Sequence, residues 1–179
     1  MKIRSFFLTL FCALSFTVSG QEDAFQQDIV KYLSINGTTS QYDNAYDQML
    51  TMLQQQFADS KVPPTEWQTL KNNKAEAVGE VLTLLASAYR KHFSENDIAE
   101  MIAFYESDAA QKMLFDQASL SEAEQVFINS FYNSEVGKKI KQSRQALATD
   151  ISQISEYWSR DLFTNTIDAL AAKGFTPGH

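Results

Sequence analysis

SENDIAEMIAFYESDAAQKM, residues 94–113, and SEAEQVFINSFYNSEVGKKI, residues 121–140, are the two stretches whose reading decides the fold. Each opens on a serine with an acid three positions later, Ser94 with Asp97 and Ser121 with Glu124. That spacing is a capping box, in which the hydroxyl and the carboxylate each satisfy a backbone N–H left without a partner at a helix start. Phe93 and Ile98 flank the first cap as a hydrophobic staple does, whereas the second copy has Gln125 in that place. At a constant offset of 27, Phe104-Tyr105 falls on Phe131-Tyr132, Ser107 on Ser134, Asp108 on Glu135, Lys112 on Lys139 and Met113 on Ile140. The pattern predicts a duplicated helical hairpin, 94–119 and 121–145. Two copies are fewer than the three or so that a solenoid needs to bury a continuous core. The hairpins therefore belong to a larger helical bundle.

Outward from the hairpins, the apolar residues recur at helical spacing and no window sustains a period of two, so no sheet is expected. A first helix over 22–35 puts Phe25, Ile29, Val30 and Leu33 on one stripe, and Asn36-Gly37 supplies a left-handed stop. A second, over 39–58, carries Tyr42, Ala45, Tyr46, Met49, Leu50, Leu53 and Phe57. After Pro63-Pro64, Thr65 with Gln68 reads as another capping box, opening a third helix that buries Trp67, Leu70, Val78, Val81, Leu82, Leu85 and Tyr89. Its stretch 81–88 is apolar nearly all round, which marks it as central. The final segment, 134–173, has no proline and fits one long helix or two joined by a kink. Its stripe, Ile140, Leu147, Ile151, Ile154, Trp158 and Leu162, turns past Asp161 to Phe163, Ile167 and Leu170, a drift expected where a helix leaves a coiled-coil-like packing for the body of the domain. The fold class is all-α, a bundle of about six or seven helices.

The first twenty residues read differently. Lys2 and Arg4 precede an apolar run that ends in Val18-Ser19-Gly20, the pattern of a secretory signal cleaved before Gln21. The run falls short of the ~20 apolar residues of a spanning helix. Cys12 follows Phe11, where a lipid-attachment site would want a small residue. The mature chain, 21–179, is then one domain without cysteine, held by packing alone. Losing the two bases of 1–20 takes the formal charge from −7 to −9. A negative surface argues against a phosphate-backbone partner, and hence against nucleic acid. The basic concentration Lys138, Lys139, Lys141 and Arg144 reads as the solvated face of a helix. The expected location is the periplasm of a Gram-negative bacterium, with the extracellular space as the alternative.

The run Tyr89-Arg90-Lys91-His92-Phe93-Ser94 followed by Phe104-Tyr105-Glu106-Ser107-Asp108-Ala109-Ala110-Gln111-Lys112 resembles the bacterial family called domain of unknown function 2059. The mark of that family is an aromatic pair, one residue, Ser-Pro, one residue, then Gly-Gln-Lys. The second copy, Phe131 to Lys139, resembles the same mark and keeps its glycine as Gly137. Both copies replace the proline with an acid, Asp108 or Glu135, and the first has Ala110 for the glycine. The resemblance implies an exported helical bundle and brings no activity, cofactor or catalytic residue. Physically, Ser-Pro is a helix start, and an acid serves the same position by meeting the positive end of the helix dipole. Phe104 and Phe131 read as core anchors, Tyr105 and Tyr132 as core residues whose hydroxyls need partners, and Ala110 or Gly137 as a place of close helix approach. Lys112 and Lys139 each follow an acid by four residues, Asp108 and Glu135, which favours exposed pairs along one helix.

No cysteine nucleophile, Gly-x-Ser-x-Gly elbow or glycine-rich phosphate loop occurs, and neither His92 nor His179 has a metal partner at ligand spacing. The sequence is therefore read as a non-enzyme with no cofactor. A site, if there is one, would gather Phe104, Tyr105, Ser107 and Lys112 with Phe131, Tyr132, Ser134, Gly137 and Lys139. Two functions fit: an interaction module, forming a homodimer through Ile140–Trp158, or a carrier with an apolar inter-helix cavity.

Overall fold

A computed structural model describes residues 18–178, with side chains from Ala24 onward. The signal segment expected at 1–20 lies outside the described residues except for its last three. Among the described residues every regular element is helical: α1 Val18–Ile35, α2 Thr38–Gln56, a 3-10 turn Ala58–Ser60, α3 Pro64–Asn72, α4 Lys74–Tyr89, α5 Glu95–Tyr105, α6 Asp108–Phe115, a 3-10 turn Gln117–Ser119, α7 Glu122–Asn133 and α8 Glu135–Ala172. The all-α bundle expected from the sequence is what folds.

Gly37 ends α1 at φ 90, and the Asn36 side chain accepts the N–H of Thr38, so the turn is fixed from both sides. The third expected helix is divided. Pro64 stands at the first helical position and Thr65 inside the helix, so the predicted Thr65/Gln68 capping box does not form; the Thr65 carbonyl instead accepts from the Thr69 hydroxyl. α3 stops at Asn72, and Asn73 begins α4 afresh. Ala45, expected on the buried stripe of α2, faces solvent, while Tyr42, Tyr46, Leu50, Leu53 and Phe57 are buried.

α4 is packed by α1, α2, α3 and α8. It centres the main core, with Ile29, Tyr32 and Leu33 of α1, Tyr46 and Leu50 of α2, Val81 and Leu85 of α4 and Met101 of α5. The last segment is one helix of 38 residues. Its stripe Ile140 to Leu162 lies on that main core, where the Trp158 indole donates to the carbonyl of Ala77 at 3.0 Å. The seam expected to join two copies is thus turned inward onto the chain itself. The drift past Asp161 is a change of neighbours, as expected, but in the opposite sense: it leaves the body of the domain for a smaller cluster of Leu53, Phe57 and Leu170, joined by Phe163 and Ile167. Gly174, at φ 87, closes α8 with the Phe175 N–H on the Leu170 carbonyl and its own N–H on that of Ala171, a Schellman end.

Candidate functional site

The residues singled out in the two motifs meet in one place, the junction between the hairpins α5–α6 and α7–α8. Four serines build its frame. Ser94 accepts from the N–H of Asp97 and Ser121 from that of Glu124, and each acid returns the bond to its serine's N–H, so both capping boxes are complete. Ser107 accepts from the N–H of Ala110 and Ser134 from that of Gly137, starting α6 and α8 without the family's proline. These caps bring each aromatic pair to the end of one helix and each lysine to the first turns of the next.

The hairpins then hold one another by reciprocal contacts. The Phe104 and Phe131 rings stack face to face, centroids 3.8 Å apart and planes at 3°. The Tyr132 hydroxyl of the second hairpin donates to the Sδ of Met113 in the first at 3.9 Å. Lys112 pairs with Glu124 at 2.7 Å, and at the positions 27 residues along Lys139 pairs with Asp97. Each lysine therefore reaches the capping acid of the other hairpin. The expected pairs with Asp108 and Glu135 along the same helix do not form; Glu135 is taken by Lys138. The geometric reason is that the capping acid lies fixed in the junction, its oxygens already turned toward its serine. An ion pair to it costs less side-chain freedom than one to the solvated acid in the first turn.

The pairing sets the charges. Glu124 is drawn down from its ordinary 4.5 to about 2, first by Lys112 and then by the backbone and hydroxyl of Ser121. Burial pushes Asp97 up, but Lys139 and Ser94 outweigh it and leave its carboxyl below the usual range. Lys112 is raised, chiefly by Glu124. Burial pushes the Tyr105 and Tyr32 hydroxyls well above their ordinary value, and Tyr89, whose rise by burial is partly offset by a hydrogen bond from Tyr32, up to about 12. Lys112 stays cationic and these phenols neutral through the physiological range. Outside the junction, Asp150 is lowered by His92 and then Lys91, each at 3.3 Å. His92 thus sits in the turn after α4 with a ring nitrogen hydrogen-bonded to Asp150, beside the Lys91–Asp150 ion pair. Among the described residues no group of three or more His, Cys, Asp or Glu could hold a metal ion.

Gly137, expected from the sequence as a place of close helix approach, is one. A Cβ there would lie 2.6 Å from the carbonyl carbon and oxygen of Tyr132 and closer still to the oxygen of Phe131, so the first turn of α8 crosses the last turn of α7 on bare backbone. Asp97 and Glu124, 27 residues apart like the lysines, read in the sequence as capping acids and not as lysine partners.

The match that bears on identity falls on the first hairpin. Residues 80–120 match the model of the family described as "Uncharacterized protein conserved in bacteria (DUF2059)". This is the family the motif resembles. The matched stretch runs from within α4 through α5 and α6, and the second copy of the family's motif lies beyond it. No curated protein and no solved structure matches the chain.

On the outside of the junction lies an open groove of about 340 Å³, lined by Glu100, Ala103 and Phe104 from α5 and by Phe127, Ser130 and Phe131 from α7. Each α5 residue has its counterpart 27 positions along in α7, Glu100 answering to Phe127 and Ala103 to Ser130. The groove lies where the two hairpins meet, beside the stack of Phe104 on Phe131. Among the described residues no helix is long and apolar enough to cross a membrane.

Proposed function

We infer that this chain is a non-catalytic protein-interaction module, exported to the periplasm of a Gram-negative bacterium, that holds a partner protein by apolar side chains laid on α7. The observation that carries the reading is the state of that helix. α7 packs on α6 and α8 through Ile128 and Phe131, and leaves Val126 67 % exposed and Phe127 44 % exposed. Phe127 also stacks on Phe104, so it forms a fixed wall of the groove rather than a loose surface residue. Apolar side chains left exposed on a helix that is packed on its other side mark a binding face. The engaged motif lysines and the neutral phenols support the non-catalytic part, since a general base works best with a pKa near the operating pH.

The carrier reading draws less support. A small-molecule site buries most of its ligand in some 300–1,000 Å³. A partly enclosed void walled by Tyr42, Leu85, Tyr89 and Ile151 offers about 180 Å³, and the larger apolar hollow of about 560 Å³ beside Met49, Met52 and Phe163 lies open on the surface.

The test is affinity capture from the bacterial envelope with the natural chain and with Val126→Ser/Phe127→Ser. A protein retained by the first and lost by the second, with helicity unchanged, is the expected result. A small molecule found in equimolar amount by native mass spectrometry, with no protein bound, would turn the assignment to a carrier. N-terminal sequencing that returned Met1 would remove the export step.

A further inference from the structure

We propose that the corner between α7 and α8 is a docking seat for the C-terminal turn of an acidic helix from a partner protein. The proposal rests on the reading of the chain as an interaction module. Its own ground is the relation between the two hairpins, because the first of them already carries a helix end at the equivalent place.

On the first hairpin the last turns of α1 sit against α5 and α6. The Tyr32 ring meets that of Tyr105 edge-on at 5.6 Å, Lys31 pairs with Glu106 at 2.6 Å, and Gln111 donates to the carbonyl of Ile35 at the end of the helix. A Cδ of Leu114 lies 3.9 Å from where a Cβ of Gly37 would stand. The seat is therefore built from Tyr105, Glu106, Gln111 and Leu114.

The positions 27 residues along are Tyr132, Asn133, Lys138 and Lys141. Here the seat is open: Tyr132, Asn133 and Lys141, with Gly137, Ile140 and Arg144, line a pocket of about 380 Å³. Tyr132 is 41 % exposed, whereas its counterpart Tyr105 is packed against the main core. The tyrosine wall recurs while the polar chemistry changes sign. The acid that takes Lys31 in the first seat is replaced by neutral Asn133. The amide that caps the Ile35 carbonyl and the apolar Leu114 are replaced by Lys138 and Lys141, with Arg144 beyond them. The last carbonyls of a helix form its negative pole, and cations there are favourable. Among the described residues Lys141 and Arg144 form no ion pair, and Lys138 is held only by Glu135 one turn away. In a chain of formal charge −7, unpaired cations beside an apolar wall fit a ligand that brings carboxylates in its last turn and an apolar side chain for Tyr132 and Ile140.

The experiment measures fluorescence anisotropy with the mature chain and two labelled peptides. One has the α1 sequence 24–37 with Lys31→Glu and Ser34→Glu, and the other is the unaltered 24–37 sequence. The acidic peptide is expected to bind saturably, at least fivefold more tightly than the unaltered one. Lys141→Glu/Arg144→Glu is expected to weaken it at least tenfold, and Lys141→Gln/Arg144→Gln serves if the charge reversal impairs folding. Absence of saturable binding, equal binding to the variant, or equal binding of the two peptides overturns the proposal. So does a dimer seen by light scattering that the charge reversal abolishes, since the seat would then belong to a second copy. Val126→Ser/Phe127→Ser separates the two readings: it should leave peptide binding intact, so loss of partner capture alone counts against the α7 face and not against this seat.

Discussion

Gly137→Ala reverses the usual sign of its substitution class. Replacing a glycine within a helix by alanine normally stabilises by ~0.5–1 kcal/mol, because the unfolded chain loses conformational freedom. At Gly137 the new methyl would fall 2.6 Å from the carbonyl atoms of Tyr132 and nearer still to the Phe131 oxygen. These are backbone atoms of α7, so no rotamer change relieves them, and α8 must move away from α7. Overpacking of this kind costs ~1–3 kcal/mol, and with the colliding atoms fixed the upper part of that range applies. Set against the propensity gain, the expected net loss is about 2 kcal/mol. In a domain of this size that lowers Tm by ~4–8 °C. Gly79, within α4, is the matched control, since a Cβ there meets nothing within 4 Å. Gly79→Ala should raise stability by ~0.5–1 kcal/mol. Urea unfolding of the two variants beside the natural chain decides the matter, provided the m-values agree. If Gly137→Ala proves as stable as Gly79→Ala, the close crossing of α7 and α8 is not a feature of the folded protein.

The depressed carboxyl of Glu124 gives a signed pH effect. Its folded pKa of about 2 lies below the ordinary 4.5, so its contribution is complete above about 4.5 and is lost as the pH falls through about 2. Asp97 acts in the same direction. Urea midpoints at pH 7 and pH 3 should therefore differ less in Asp97→Asn/Glu124→Gln than in the natural chain. A double-mutant cycle on Lys139 and Asp97 should show stronger coupling than one on Lys138 and Glu135, because Asp97 is largely shielded while the Glu135 side chain is 92 % exposed; equal couplings would return the motif lysines to the status of surface charges. Ser94→Ala and Ser121→Ala should each cost ~1 kcal/mol in thermal or urea unfolding, the ordinary worth of an N-cap. In an alkaline titration followed by tyrosinate absorbance, Tyr89 should ionise only near pH 12 and Tyr32 and Tyr105 later. The Tyr89 contribution to stability is present below the ordinary 10.0 and lost as pH rises through about 12. A single transition near pH 10 for every tyrosine while helicity persists would contradict the burial of this cluster.

The all-helical class, the turn at Asn36-Gly37, the serine caps and the stripe along the last segment could be read from the residues, because each depends on neighbours within a turn or two. A hydroxyl three positions before a carboxylate caps a helix wherever the chain goes next, and Gly37 can take φ 90 regardless of what packs on it. Asn73 could not be read as a break, since propensity does not forbid a helix there and only the separate packing of α3 and α4 divides it. The partner of a stripe is also undetermined by periodicity: Ile140 to Trp158 satisfies a second copy or its own core equally well, and the fold chose the core. The lysines make the same point within the site. Local spacing favoured Asp108 and Glu135, but the stack of Phe104 on Phe131 sets the hairpins so that Lys112 meets Glu124 and Lys139 meets Asp97. Interactions within one or two helical turns are written in the order of the residues, whereas those across the junction depend on how two helices cross, which is decided by the summed packing of side chains far apart in the chain.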